Sequence, residues 1–387
     1  MSPAPGTAEP KARGRDARID LARGLTMLII FVAHVPGNLW AEFIPARMGF
    51  SSGAEAFVLC SGLACGIAFG GTFQRDGWLA GTRRIGKRVW QLWLAQVLTF
   101  GGFAALMLSI DAWLGGDAYA ARYSLAYPVG APLEAALALM TLRYVPDFFD
   151  ILPLYIVLLA AVPLMSLVAG ASRWLVLGLS AGLWLVVQVV PLNLPANPAG
   201  TKLWYFDPLA WQFLFFLGYA TTAGWLTPPR ATPARIAVAG AIILACIPLT
   251  FWGAHAAFPV LGELYRAIYP AEAISTLHPL RLAHVLLLAW LFAALLASRR
   301  SSLYDGPLKP VLVVGQQSLT TFLTGIVLAA LAGVALDLIG RGIAATALIN
   351  LTGCALLVAT AYAARTVKAS LKTRTPTGKD RPWLATQ

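Results

Sequence analysis

The chain has 387 residues, of which 58% are hydrophobic and only 12% charged, and its mean hydropathy is +0.71. Soluble domains carry about a quarter charged residues, so the composition excludes an ordinary water-soluble enzyme, a disordered chain and a disulfide scaffold. A net charge of +12 would suggest nucleic acid in a soluble protein. Here the hydropathy points to an integral membrane protein, and the charge has to be explained by topology.

In chain order, apolar windows near the length that crosses a hydrocarbon core fall at residues 21–40, 54–73, 89–110, 151–169, 174–191, 208–226, 236–254, 282–298, 311–331 and 342–363. With the amino terminus inside, 21 of the 29 basic residues lie in inner segments, from Lys11 through the Arg83–Arg88 cluster to Arg381. Seven lie outside (Arg47, Arg122, Arg143, Lys202, Arg266, Arg281, Arg341), and Arg23 is inside the first window. That bias follows the positive-inside rule, and one helix missed in mid-chain would spoil it. The predicted fold is therefore an all-α polytopic membrane protein of about ten transmembrane helices with both termini cytoplasmic. A basic segment over 1–18 leads into a single transmembrane domain over 19–364. A basic tail over 365–387 is expected to be disordered beside an anionic inner leaflet.

Asp20, Arg23 and His34 interrupt the first window, which reads as a retained helix rather than a cleaved signal peptide. The outer segment 111–150 contains a run from Pro132 to Arg143 that is too short to span and suits an interfacial or re-entrant helix. Segment 191–208 holds Pro191, Pro195 and Pro198 and must loop. Cys60, Cys65, Cys246 and Cys354 lie within windows without metal-like spacing; free thiols are expected, and no metal is implied.

Charges inside spans are expensive, and each is a site hypothesis. Asp20 and Arg23 are one helical turn apart and able to pair. His34 is eleven residues past Arg23, which at 100° per residue sets the two side chains about 20° apart around the helix and about 16 Å along it. All three therefore face one way. A topology anchor with one satisfied histidine is the plain alternative. Imidazole is the side chain suited to moving a proton near neutral pH. Glu55 starts the second window at the same outer depth as His34, where it could orient the imidazole, bind a sugar hydroxyl, or simply favour the helix start. Gly62, Gly66 and Gly70 recur every fourth residue and read as close helix packing. Later helix starts bring Asp150 and Tyr155, then Asp207, Trp211 and Gln212, then His278, Arg281 and His284, to the outer side. Gln316, Gln317 and Ser318 lead into the ninth window.

These residues resemble a known family. Arg18-Ile-Asp20-Leu-Ala-Arg23-Gly-Leu, His34-Val-Pro-Gly-Asn, Gly49-Phe-Ser, Ala54-Glu55-Ala-Phe-Val and Ser61-Gly are similar to the OpgC family. Its members are membrane succinyltransferases of osmoregulated periplasmic glucans, within the wider membrane acyltransferase superfamily. The likeness continues through Ile151-Leu-Pro-Leu-Tyr155, Asp207-Pro-Leu-Ala-Trp211-Gln212, Pro279-Leu-Arg281-Leu-Ala-His284 and Gly315-Gln-Gln-Ser318-Leu. It implies that His34 is the catalytic histidine, that Arg23 lies on the acyl-CoA side, and that Glu55, Trp211, Gln212 and Arg281 lie in or near a shared cavity. Asp20 is read beside Arg23 as a cofactor-side residue, and Asp207 and Ser318 as further substrate-side candidates. Two basic positions of the family pattern are missing, one of them at Gln316. The resemblance thus implies acyl transfer more firmly than it names succinyl as the acyl group.

The reading is a multi-pass O-acyltransferase of a bacterial-type inner membrane. An acyl group, with succinyl as one candidate, passes from cytoplasmic acyl-CoA to a hydroxyl of a periplasmic or cell-surface glycan, with His34 as general base. Gln212 or Arg281 is the expected oxyanion donor. Acyl-CoA is a co-substrate and no permanently bound cofactor is expected; the partners are acyl-CoA, the glycan and the bilayer, not nucleic acid. The alternative is a transporter or flippase that binds an anionic or glycan substrate through Arg23 and Arg281. Oligomeric state and the choice between an acyl-histidine and direct transfer stay open.

Overall fold

The computed structural model describes residues 16–299 and 302–374. Among these the chain is helical, apart from loops and one isolated antiparallel bridge between Pro195 and Leu203. The chief helices are α1 (Ala17–His34), α2 (Gly53–Phe69), α3 (Trp78–Leu114), α4 (Pro132–Met140), α5 (Ile151–Ala171) and α6 (Arg173–Val189). They continue with α7 (Pro208–Ala223), α8 (Pro233–Thr250), α9 (Pro259–Ile268), α10 (Pro279–Leu295), α11 (Lys309–Gln316), α12 (Ser318–Ile339) and α13 (Ile343–Arg374). Six of the described helices are long and apolar enough to cross a membrane, and α6 and α10 are shorter apolar helices. Large side chains stay exposed along them, among them Trp113, Val189 and Ile343, each more than three-quarters accessible. Apolar surface on that scale is what lipid covers. The protein is an all-α polytopic membrane protein.

Several windows are displaced for identifiable reasons. α1 stops at His34, because Pro36 drives Val35 into an extended conformation and Gly37 turns the chain at φ +64°. α3 begins at Trp78, eleven residues before its window. Arg83, Arg84, Lys87 and Arg88 are good helix formers that a hydropathy window cannot see. At 37 residues the helix is about 55 Å long, well beyond a hydrocarbon core. The ninth window is two helices, broken at Gln317, whose N–H is shared between the carbonyls of Val313 and Val314. The last helix runs to Arg374, so the first part of the tail expected to be disordered is helical. Residues 1–15 and 375–387, which hold most of the expected basic end segments, lie outside the described residues.

Close helix packing occurs where the glycine spacing predicts it. A Cβ at Gly62 would stand 2.0 Å from the carbonyl oxygen of Phe215, and one at Gly66 would stand 2.5 Å from that of Tyr219. α2 and α7 thus meet backbone to backbone. α1 and α11 meet the same way, since a Cβ at Gly24 would lie 1.9 Å from the Val311 oxygen and one at Gly315 1.8 Å from that of Asp20. The short α4 sits where an interfacial helix was expected, with Leu133 and Leu137 exposed on one face and Ala135, Ala138 and Leu139 buried on the other.

Candidate functional site

On α1, Arg23, Met27, Ile30 and His34 follow one another at spacings of four, three and four, a single stripe. That stripe faces α12. At its inner end the Arg23 guanidinium donates through Nη2 to Ser318 Oγ at 2.5 Å. Its Nε is buried without a hydrogen-bond partner. Asp20, one turn inward, is buried. Farther out, Met27, Ile30, Phe31 and His34 line a cavity of about 10 Å³ with Thr321, Phe322, Gly325 and Ile326 of α12, about the room one water needs. The shared face read from the 3.6-residue period is thus the face on which Arg23 and His34 both meet α12.

The imidazole of His34 lies with Nδ1 2.8 Å from the carbonyl oxygen of Ile30. A carbonyl only accepts, so Nδ1 carries the hydrogen, and the neutral ring keeps its lone pair on Nε2. That is the tautomer a general base needs. Phe148 meets the ring edge-to-face at 5.7 Å between centroids.

Glu55 does not orient this imidazole. Its Oε2 accepts from the N–H of Ser52 at 2.8 Å and from Ser52 Oγ at 2.7 Å, which closes a capping box at the start of α2. Its Oε1 is held by Arg281 of α10 in an ion pair of two almost fully buried side chains. Arg281 also donates to the Tyr269 hydroxyl and, at 3.3 Å, to Ser52 Oγ. The helix-start reading of Glu55 therefore has its geometry, and the sugar-binding and imidazole-orienting readings lack free oxygens. Arg281, an expected oxyanion donor, is spent in the same cluster.

Next to it His284 accepts or donates through Nδ1 to Ser51 Oγ at 2.7 Å, while its Nε2 is buried without a partner. The sequence reading placed His284 only at a helix start. The signal that could have found it was present: Arg281 and His284 are one turn apart in an apolar helix, as Asp20 and Arg23 are. Gly49 is required beside it, since a Cβ there would come within 2.5 Å of the imidazole.

Three other expected substrate residues have structural partners instead. Trp211 is fully buried and donates from Nε1 to the carbonyls of Ile274 and Ser275, both at 3.0 Å. Gln212 accepts from Ser180 Oγ at 2.5 Å, and its amide donates to the carbonyls of Ser180 and Leu209. Asp207 caps α7 by accepting from the N–H of Leu209 at 2.9 Å. Burial raises its carboxyl to about 6, against the pull of that bond, and its second oxygen has no partner. Buried amides and indoles must satisfy their donors where they sit. Trp211 and Gln212 therefore hold the loop before α10 and the α6–α7 contact, and Gln212 has no N–H left for an oxyanion. Asp150, just before α5, is likewise raised by burial, to about 7.

A family model described as "OpgC protein" matches residues 15–369. No curated protein and no solved structure matches the chain.

Proposed function

The chain belongs to the OpgC family and is an OpgC-like membrane acyltransferase; from that premise we propose that it moves an acyl group from cytoplasmic acyl-CoA to a hydroxyl of a periplasmic or cell-surface glycan, with His34 as general base. The observation that carries this reading is the Nδ1-protonated imidazole at the outer end of the α1 stripe, with a half-buried arginine, its Nε buried, at the inner end. The thioester approaches along the Arg23 side. Nε2 of His34 takes the proton of the acceptor hydroxyl, the oxygen forms a bond to the thioester carbonyl carbon, and the C–S bond then breaks. The departing thiolate leaves with the proton from the imidazolium, so the histidine is regenerated. Arg23, with its unpartnered Nε, holds a phosphate or the carbonyl of the donor. Purified protein in detergent is expected to release thiol from acyl-CoA faster when oligosaccharide is added. No release under either condition removes the acyl-CoA reading.

Within that assay Arg23→Ala is expected to lower kcat/KM for acyl-CoA about 10- to 100-fold, the equivalent of a charged contact worth about 1.5–3 kcal/mol, while the protein keeps its thermal midpoint. Parental kinetics would leave Arg23 a topology anchor.

Ten crossings with both termini inside belong to the same proposal, supported by the sorting of basic residues and by a helix within each window. Four exposed positions test it. With Cys246 and Cys354 replaced, single cysteines at Asp117 and Ala199 are expected to react with an impermeant reagent from outside, and those at Gln74 and Asp305 to be protected. Outside labelling at Asp305 would break the ten-crossing order.

A further inference from the structure

The end of α1 is held from two directions. Beyond His34, the guanidinium of Arg341 donates to the carbonyl of Pro36 and pairs with Asp337 near the end of α12. The fit is close, since a Cβ at Gly37 would enter the Arg341 guanidinium and one at Gly333 would meet the Pro36 ring. The other carboxylate oxygen of Asp337 accepts from Arg122 Nη1 at 2.7 Å. Tyr123, the next residue, packs edge-to-face on Phe148 at 5.5 Å, and Phe148 packs on His34. The contacts form a closed circuit: from His34 through Pro36, Arg341, Asp337, Arg122, Tyr123 and Phe148 back to the imidazole.

Phe148 holds φ at +68°. Side chains rarely enter that region, and a bulky one there is a true outlier. Such strain persists only where the surroundings over-determine it, and it collects at functional sites. The segment that carries Phe148 is anchored just before it to the loop over residues 196–202. Lys202 Nζ lies 2.5 Å from Asp147, and the N–H of Val145 donates to the carbonyl of Ala196 at 2.8 Å. The chain tolerates the unfavourable φ, and its effect is to turn an aromatic ring onto the histidine.

We propose that Phe148 is a positioning residue for the His34 imidazole, and that the Arg122–Asp337–Arg341 cluster ties the two halves of that mount together. The Ile30 carbonyl fixes one edge of the ring, and Phe148 blocks the rotation that would exchange Nδ1 and Nε2. The lone pair is thereby kept on Nε2. The proposal rests on the reading of His34 as the base.

The test separates positioning from folding. Phe148→Gly removes the ring and its packing on the core but suits the positive φ. The protein should therefore stay folded with a moderately lowered thermal midpoint, matched by Phe148→Ala as a control for lost packing. Its kcat for thiol release with acceptor should fall about 10²-fold, the usual consequence of a catalytic group misplaced by about 1 Å, with KM for acyl-CoA unchanged. Phe148→Tyr, which restores a ring, should recover most of kcat. Asp337→Asn loosens both arginines and leaves Phe148 in place, so it should lower kcat in the same way. A parental kcat in Phe148→Gly, or failure of Phe148→Tyr to recover the rate, overturns the role of Phe148; a parental kcat in Asp337→Asn overturns that of the charged cluster. His34→Ala is measured alongside. If that variant is inactive while Phe148→Gly is parental, only the positioning proposal falls, whereas a fully active His34→Ala removes the base reading and the mount with it.

Discussion

His34→Ala and His34→Asn are both expected to abolish acyl transfer while the protein accumulates in the membrane at its normal level. Loss of a general base costs about 10² to 10⁴-fold in rate, and neither replacement can accept a proton near neutral pH. Asn keeps a polar group of similar reach, so its failure would separate basicity from hydrogen bonding. Two of the other histidines serve as controls. His255 bonds through Nε2 to the carbonyl of Leu249 at 3.1 Å, and His278 caps α10; replacing either should cost far less. The measurement is glycan modification by mass spectrometry in cells carrying each variant, with membrane levels matched. A His34→Ala protein that modifies its glycan at the parental rate would refute the base.

The second large effect is on stability. Arg281 is 4% exposed and Glu55 is fully buried, and each is the other's charge partner. Removing one member of a buried pair strands the other charge and costs about 3–5 kcal/mol. Arg281→Met is therefore expected to lower the thermal midpoint in detergent sharply. The double variant Glu55→Gln, Arg281→Met should regain most of the loss, because no unpaired charge is left buried. A midpoint for Arg281→Met equal to the parent would mean that the pair carries no such load. The double variant also separates structure from chemistry: if it folds and still releases thiol from acyl-CoA, the cluster holds α2 against α10 and takes no part in the reaction.

Local regularities of the chain were enough to reach the membrane class, the helix order, the shared face of Arg23 and His34 on α1, and close helix packing at Gly62 and Gly66, whose partner α7 only the structure names. Each depends on a property that sums over neighbours in sequence, either hydropathy along a window or the 3.6-residue turn of one helix. The helix-start option for Glu55 was open to the same local reading, and the structure adds that Ser52, three residues before it, closes a capping box with it. Assigning Trp211, Gln212 and Arg281 to a cavity went further than local pattern allows. A polar group on a helix start reads alike whether it faces substrate or a carbonyl, and only the approach of other helices decides. Arg281 finds Glu55 across 226 residues of chain, and His284 finds Ser51 across 233. The ring of Phe148 reaches His34 only because a loop is bent to a positive φ and tied to Lys202. No periodicity marks that residue. Burial makes an unsatisfied polar group costly, so the tertiary structure alone determines which polar side chains are consumed in holding the fold and which remain free for chemistry.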